Sequence, residues 1–132
     1  MTASPAVWTG RVLSGLFVLF ILAASVAPKL LMSDMVAAQT MEPLGWPEKY
    51  LMLIAAIELG CVILYVIPRT SLLGAVLMTG LLGGAIATNL RVDMPMFSHT
   101  LFGIYLGLAM WGGLWLRDPS LKAVFPIRRT AA

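Results

Sequence analysis

Four stretches of this chain are too apolar and too long to be stable anywhere but in lipid, and little sequence separates them. A helix needs about 20 mostly apolar residues, within a range of about 17–25, to cross a bilayer. Residues 8–27, 47–67, 71–90 and 99–116 each meet that requirement. Only 11% of the residues are charged and 60% are hydrophobic, whereas a soluble domain carries about 25% charged residues. Inside a bilayer every backbone N–H and C=O must be satisfied within the protein, so runs of this length are helices. The predicted fold is all-α, a single antiparallel transmembrane four-helix bundle over residues 1–132, with a basic tail at 117–132.

The ends of the runs carry helix punctuation. Trp8 and Arg11 open the first, and Pro28 is expected to close it. Ser25-Val26-Ala27 also resembles a signal-peptide cleavage box. Pro28 directly after it disfavours cleavage, so a retained helix is the preferred reading. Between the first and second runs, Leu30, Leu31, Met35, Val36 and Ala38 recur at helical spacing beside Ser33, Asp34 and Gln39, which predicts a short interfacial helix. Pro47 with Glu48 starts the second span, Pro68-Arg69-Thr70 turns into the third, and Ser98 precedes the fourth.

Four crossings put both termini on one side. Arg11, Arg69, Arg117, Lys122, Arg128 and Arg129 fall on that side and outnumber Lys29, Lys49 and Arg91 on the other. The positive-inside rule then places both termini in the cytoplasm.

Because lipid offers no hydrophobic drive for helix association, small residues must let backbones approach. Gly80 and Gly84 stand at G-x-x-x-G spacing beside Thr79, Gly83 and Ala87, Gly103 and Gly107 share a face of the fourth span, and the second offers Ala56 and Gly60. Packing within one compact bundle is the preferred reading of these stripes, with dimerisation through one of them or docking of another membrane protein as the alternative.

Glu58 stands roughly 16 Å along the helix axis from Pro47. An ionisable side chain at that depth costs about 2.5–3.5 kcal/mol unless it faces the bundle interior. Thr79 and Gly83 on the third span and Tyr105 on the fourth lie at similar depth. Two readings stand side by side: a neutral hydrogen-bonding group between helices, or a proton carrier or ligand contact. A second polar group gathers at the outward ends: Ser25 and Lys29, then Thr88, Asn89, Arg91 and Asp93, then His99. Lys29 is expected to snorkel to the interface, Arg91 to pair with Asp93, and His99, the sole histidine, to be either a solvated helix-end residue or a donor to a ligand carbonyl. The expected site lies between Glu58, Asn89 and His99, open toward the outer leaflet.

One His, one Cys and no carboxylate cluster argue against a metal site. Cys61, alone in an apolar run, reads as an inert buried thiol. No phosphate loop, nucleotide fingerprint or nucleophile elbow is present. The basic tail reads as a lipid headgroup contact rather than a nucleic-acid arm.

Taken together, Ser25-x-x-Pro28-Lys29-Leu30, Gly45-Trp46-Pro47, Ile57-Glu58-Leu59, Ile67-Pro68-Arg69-Thr70-Ser71, Thr79-Gly80-x-x-Gly83-Gly84-Ala85-x-Ala87-Thr88-x-Leu90-Arg91, then Pro95, His99 and Trp111-Gly112-Gly113-Leu114-x-Leu116-Arg117-Asp118 resemble the DoxX-like family of small four-helix membrane proteins. A His commonly follows Thr88 in such sequences, and Asn89 stands there in this one. The resemblance implies a bacterial inner-membrane protein, with links to quinone-coupled sulfur oxidation and redox stress in some relatives and to membrane-protein assembly in others. Two functions follow as expectations. One is a small subunit holding a hydrophobic ligand, quinone or lipid, through Glu58, Asn89 and His99, with Arg91, Lys29 and Tyr105 nearby. The other is a non-enzymatic scaffold acting through its glycine faces.

Overall fold

The computed structural model describes residues 4–128, and every regular element in it is helical. Helix α1 spans Pro5–Leu31. The Ser4 side chain accepts from the Val7 N–H at 3.3 Å, and Pro5 occupies the first turn, where a missing N–H costs nothing. The helix runs past Pro28 instead of stopping there. Proline removes one N–H and crowds the carbonyl four residues back. Here the preceding turn widens into a π segment, Ile21–Val26, in which the Ala27 N–H donates to the Leu22 carbonyl five residues back. The strain of Pro28 is absorbed there, and Lys29 remains on a helix rather than in a loop.

The connection that follows, residues 33–44, is helical and is labelled α2. Its inward residues are Val36, Ala37 and Met41, with Val36 and Met41 packed against Leu51. Leu30, Leu31 and Met35 are exposed. Gly45 ends the segment at φ 77°, a left-handed conformation that favours glycine. The Arg91 Nη2 donates to the Leu44 carbonyl at 3.0 Å, so Arg91 caps the C-terminus of α2 rather than pairing with Asp93.

Helices α3 (Glu48–Val66) and α4 (Pro68–Arg91) form a tight hairpin. Ser71 Oγ donates to the Tyr65 carbonyl at 2.7 Å, and Thr70 Oγ1 donates to the Leu64 carbonyl at 2.8 Å. These bonds satisfy acceptors that the end of α3 would otherwise leave unpaired. Helix α5 covers Phe102–Arg117 and follows a π turn at Met96–Thr100. Helices α1, α3 and α4 are long and apolar enough to cross a membrane. Helix α5, at 16 residues, is equally apolar in character but shorter.

The four long helices enclose Phe17, Ile21, Tyr65, Met78, Met110 and Leu114. Outside, Leu16, Leu19, Leu53, Leu72, Leu73, Val76 and Leu108 stand exposed. A continuous apolar exterior of this kind is what a lipid solvent demands and what water forbids. A close crossing joins α1 to α5 at Gly10 and Gly113, where an added Cβ on Gly113 would lie 2.9 Å from the Gly10 carbonyl oxygen. Beside it runs a buried hydrogen-bond chain. Arg117 Nε donates to Ser14 Oγ at 3.1 Å, Ser14 shares a 2.8 Å bond with the Tyr65 hydroxyl, and that hydroxyl donates to the Met110 carbonyl at 2.6 Å. It ties α1, α3 and α5 together at the end that carries the chain termini.

The tail folds back on α5. Asp118 caps α6 (Pro119–Val124) by accepting from the Ser120 and Leu121 N–H groups. Leu121 is buried, Trp115 Nε1 donates to the Phe125 carbonyl at 2.8 Å, and Trp111 stacks on Phe125. Arg129 and residues 130–132 of the basic tail lie outside the described residues.

Candidate functional site

Glu58 sits on the face of α3 turned toward α1, and its residue is 5% exposed. Its partner is Lys29. The Nζ–Oε2 distance is 2.9 Å, with side-chain exposures of 14% for Lys29 and 6% for Glu58. This is the one ion pair among the described residues. The ammonium also donates to Ser25 Oγ at 2.7 Å and to the Ser25 carbonyl at 3.3 Å. Ser25 and Lys29 stand one turn apart on α1, immediately around Pro28. Lys29 therefore does not snorkel outward: the helix continues past Pro28 and carries the ammonium in against α3.

The second carboxylate oxygen is different. Glu58 Oε1 is buried and has no hydrogen-bond partner. A buried acceptor left unpaired costs about 1–3 kcal/mol, and more when it carries charge. The arrangement is thus a charged pair, satisfied on the lysine side and open by one acceptor on the glutamate side.

The remaining candidates lie elsewhere. Thr79 Oγ1 donates to the Ala75 carbonyl and accepts from Trp111 Nε1, both at 2.7 Å. Tyr105 is exposed and donates to the Phe97 carbonyl at 3.0 Å. The Asn89 amide donates to the Ala85 carbonyl of its own helix at 2.9 Å. His99 is exposed, with its Nδ1 bonded to Ser98 Oγ at 2.8 Å. The structure brings Lys29 and Glu58 together and adds Ser25. It does not bring Asn89, His99, Arg91 or Tyr105 to them.

The glycines divide in the same way. Gly103 packs against Ile86 and the Leu82 carbonyl of α4, and Gly107 makes an ordinary contact with Leu82. Gly80, Gly83 and Gly84 have nothing within 4 Å of an added Cβ, so they face outward. The tight backbone approaches belong to Gly10, Gly74 and Gly113, whose spacing carries no motif. Ser14 and Tyr65 were likewise invisible as a pair, the only hint being a hydroxyl in each of two apolar runs. An open apolar groove of about 470 Å³ runs along α3 and α4, lined by Ile57, Gly60, Cys61, Ile63, Leu64 and Leu77. It flanks Glu58 in sequence and carries almost no polar surface.

A model of the DoxX-like family matches residues 12–113, which takes in all of α3 and α4, most of α1 and α5, and both members of the ion pair. The chain belongs to the DoxX-like family. No curated protein and no solved structure matches it. As a DoxX-like protein with several apolar helices long enough to cross a bilayer, the chain is an integral membrane protein.

Proposed function

We propose that this DoxX-like protein binds a hydrophobic ligand, a quinone or a lipid, between its helices beside Lys29 and Glu58. In this reading it serves as a subunit or accessory of a redox-related system in the bacterial inner membrane. The observation that carries the reading is the unpaired Glu58 Oε1, held against α1 inside an apolar bundle. Intramembrane charges are costly and mark ligand or ion sites by default. The ligand's tail would lie among apolar side chains, and its headgroup would meet the polar atoms of the pair. Under the same proposal α5 crosses as the fourth span, aided by the Met96–Thr100 turn, and both termini face the cytoplasm. A C-terminal fusion to a reporter active only in the cytoplasm should therefore be active.

The ligand is tested by native mass spectrometry of the protein released from lipid nanodiscs. The wild type should retain a defined hydrophobic molecule, and the Lys29→Met/Glu58→Met double variant should lose at least about nine-tenths of it, a fall of the size one charge-assisted hydrogen bond produces. His99→Ala should retain it. Equal retention by the double variant would rule the reading out.

A second reading, as an assembly scaffold or homo-oligomer, rests on the open face formed by Gly80, Gly83 and Gly84. Faces of this kind pack against other membrane helices. Gly84→Leu should abolish cross-linking through α4 to a second copy or another membrane protein. A cross-linking pattern unchanged by Gly84→Leu excludes this reading.

A further inference from the structure

From a count of donors and acceptors around the pair, and resting on the ligand-binding reading above, we infer that the headgroup recognised at Glu58 is a hydroxyl that donates a hydrogen bond, not a carbonyl that accepts one. A lysine ammonium has three protons. Here all three are engaged, by Ser25 Oγ, the Ser25 carbonyl and Glu58 Oε2. No proton remains on Lys29 for a ligand carbonyl. An ionised glutamate only accepts, and Oε1 is the acceptor without a partner.

Two donors beside the pair, the Ser25 hydroxyl proton and the weakly donating Cys61 thiol, make no hydrogen bond to Oε1, and the other donors on the surrounding helices are engaged. The Tyr65 hydroxyl goes to the Met110 carbonyl, Trp111 Nε1 to Thr79, the Thr79 hydroxyl to the Ala75 carbonyl, and the Tyr105 hydroxyl to the Phe97 carbonyl. Because Oε1 is an acceptor without a partner, the group that pairs with it brings a proton of its own. A hydroxyl on an apolar tail does so, whether it belongs to a hydroquinone or to the glycerol of a lipid. The oxidised, carbonyl form of a quinone brings only another acceptor and would set its oxygen against a carboxylate. The site thus discriminates by hydrogen-bond polarity and favours the reduced member of a quinone couple.

The test uses the full chain in nanodiscs and four probes under exclusion of oxygen: a decyl-substituted hydroquinone, the matching quinone, the matching hydroquinone dimethyl ether, and decylglycerol with its methylated counterpart as a control. At least one hydroxyl probe should bind about tenfold or more tighter than its capped or oxidised counterpart, the gap one hydrogen bond to a charged acceptor gives. Which pair shows the gap identifies the source of the hydroxyl. In Glu58→Gln, Lys29 keeps the amide oxygen and the amide N–H takes the place of Oε1. The preference should then reverse, with the quinone bound more tightly than the hydroquinone. Binding of hydroxyl and capped forms within twofold in the wild type, or an unchanged hydroxyl preference in Glu58→Gln, overturns the inference while leaving ligand binding intact. Failure of every probe to bind would remove the ligand-binding reading and this inference with it. The wild-type comparison needs no variant, so a poorly folding Glu58→Gln protein does not block the test.

Discussion

Lys29→Met should destabilise the bundle by about 3–5 kcal/mol, the cost of leaving a buried charge without its counterpart. The double variant Lys29→Met/Glu58→Met should recover most of that loss and stand close to the wild type or above it, because apolar groups of similar volume carry no desolvation penalty. The reason lies in the burial of Glu58, the partial burial of Lys29 and the 2.9 Å contact between them. The second oxygen of Glu58 already lacks a partner, so removing Lys29 leaves both carboxylate oxygens without their present hydrogen bonds. Thermal unfolding in detergent, or steric-trap unfolding in bicelles, measures both variants. A single variant as stable as the wild type would mean that the pair does not hold α1 to α3. This pattern also separates a retained functional charge from a structural one, because a pair kept for stability alone would not be improved by its removal.

The glycines give the second large effect. Gly113→Leu should prevent the native crossing of α1 and α5, lowering stability by about 3 kcal/mol or more, at the upper end of what overpacking costs. Even the Cβ of the new residue would stand 2.8 Å from the Ser14 backbone nitrogen and 2.9 Å from the Gly10 carbonyl oxygen, and backbone cannot yield as a flexible side-chain tip can. Gly74→Ala should fail in the same way against the Tyr65 Cα at 2.8 Å and the Cys61 carbonyl oxygen at 2.9 Å. Gly84→Ala, by contrast, meets open space and should be neutral or stabilising by about 0.5–1 kcal/mol, since alanine favours helix over glycine. The same unfolding assay ranks the three. Equal tolerance at Gly84 and Gly113 would contradict the helix crossing described above.

These contrasts show what could be read in advance. Apolar length gave the helices directly, because the bilayer permits so few alternatives. Glu58 also stood out alone, as a single acid in an apolar run must. Its partner did not. Pro28 signalled a helix end, and a lysine beyond a helix end is expected to reach for water. Only the widened turn before Pro28 keeps Lys29 on the helix, and nothing in Ile21-Leu22-Ala23-Ala24-Ser25-Val26 announces that widening. For Asn89 and His99, convergence of helix ends was a sound inference about position, but not about hydrogen bonding. Each finds an acceptor or partner within a few residues of itself, and local bonds of that kind compete with long-range ones. Gly80 and Gly84 have the spacing of a packing motif, yet spacing defines a face without saying which way it is turned. Gly10 and Gly113 lie far apart in sequence, and only the folded chain sets them together.

The π segment of α1 has a rotational consequence. An α-helix advances about 100° per residue, so each four-residue step drifts about 40° around the axis. Gly10, Ser14, Phe17 and Ile21 keep to one inward stripe. Continued without interruption, the helix would carry Lys29 about 120° beyond the bearing of Phe17, out toward the lipid. The one extra residue accommodated in the Ile21–Val26 turn winds that drift back by about 100°. Ser25 and Lys29 consequently return to the bearing of the core residues below them. The phase of α1 is reset once, just before its charge, and the ion pair depends on that reset as much as on the two side chains that form it.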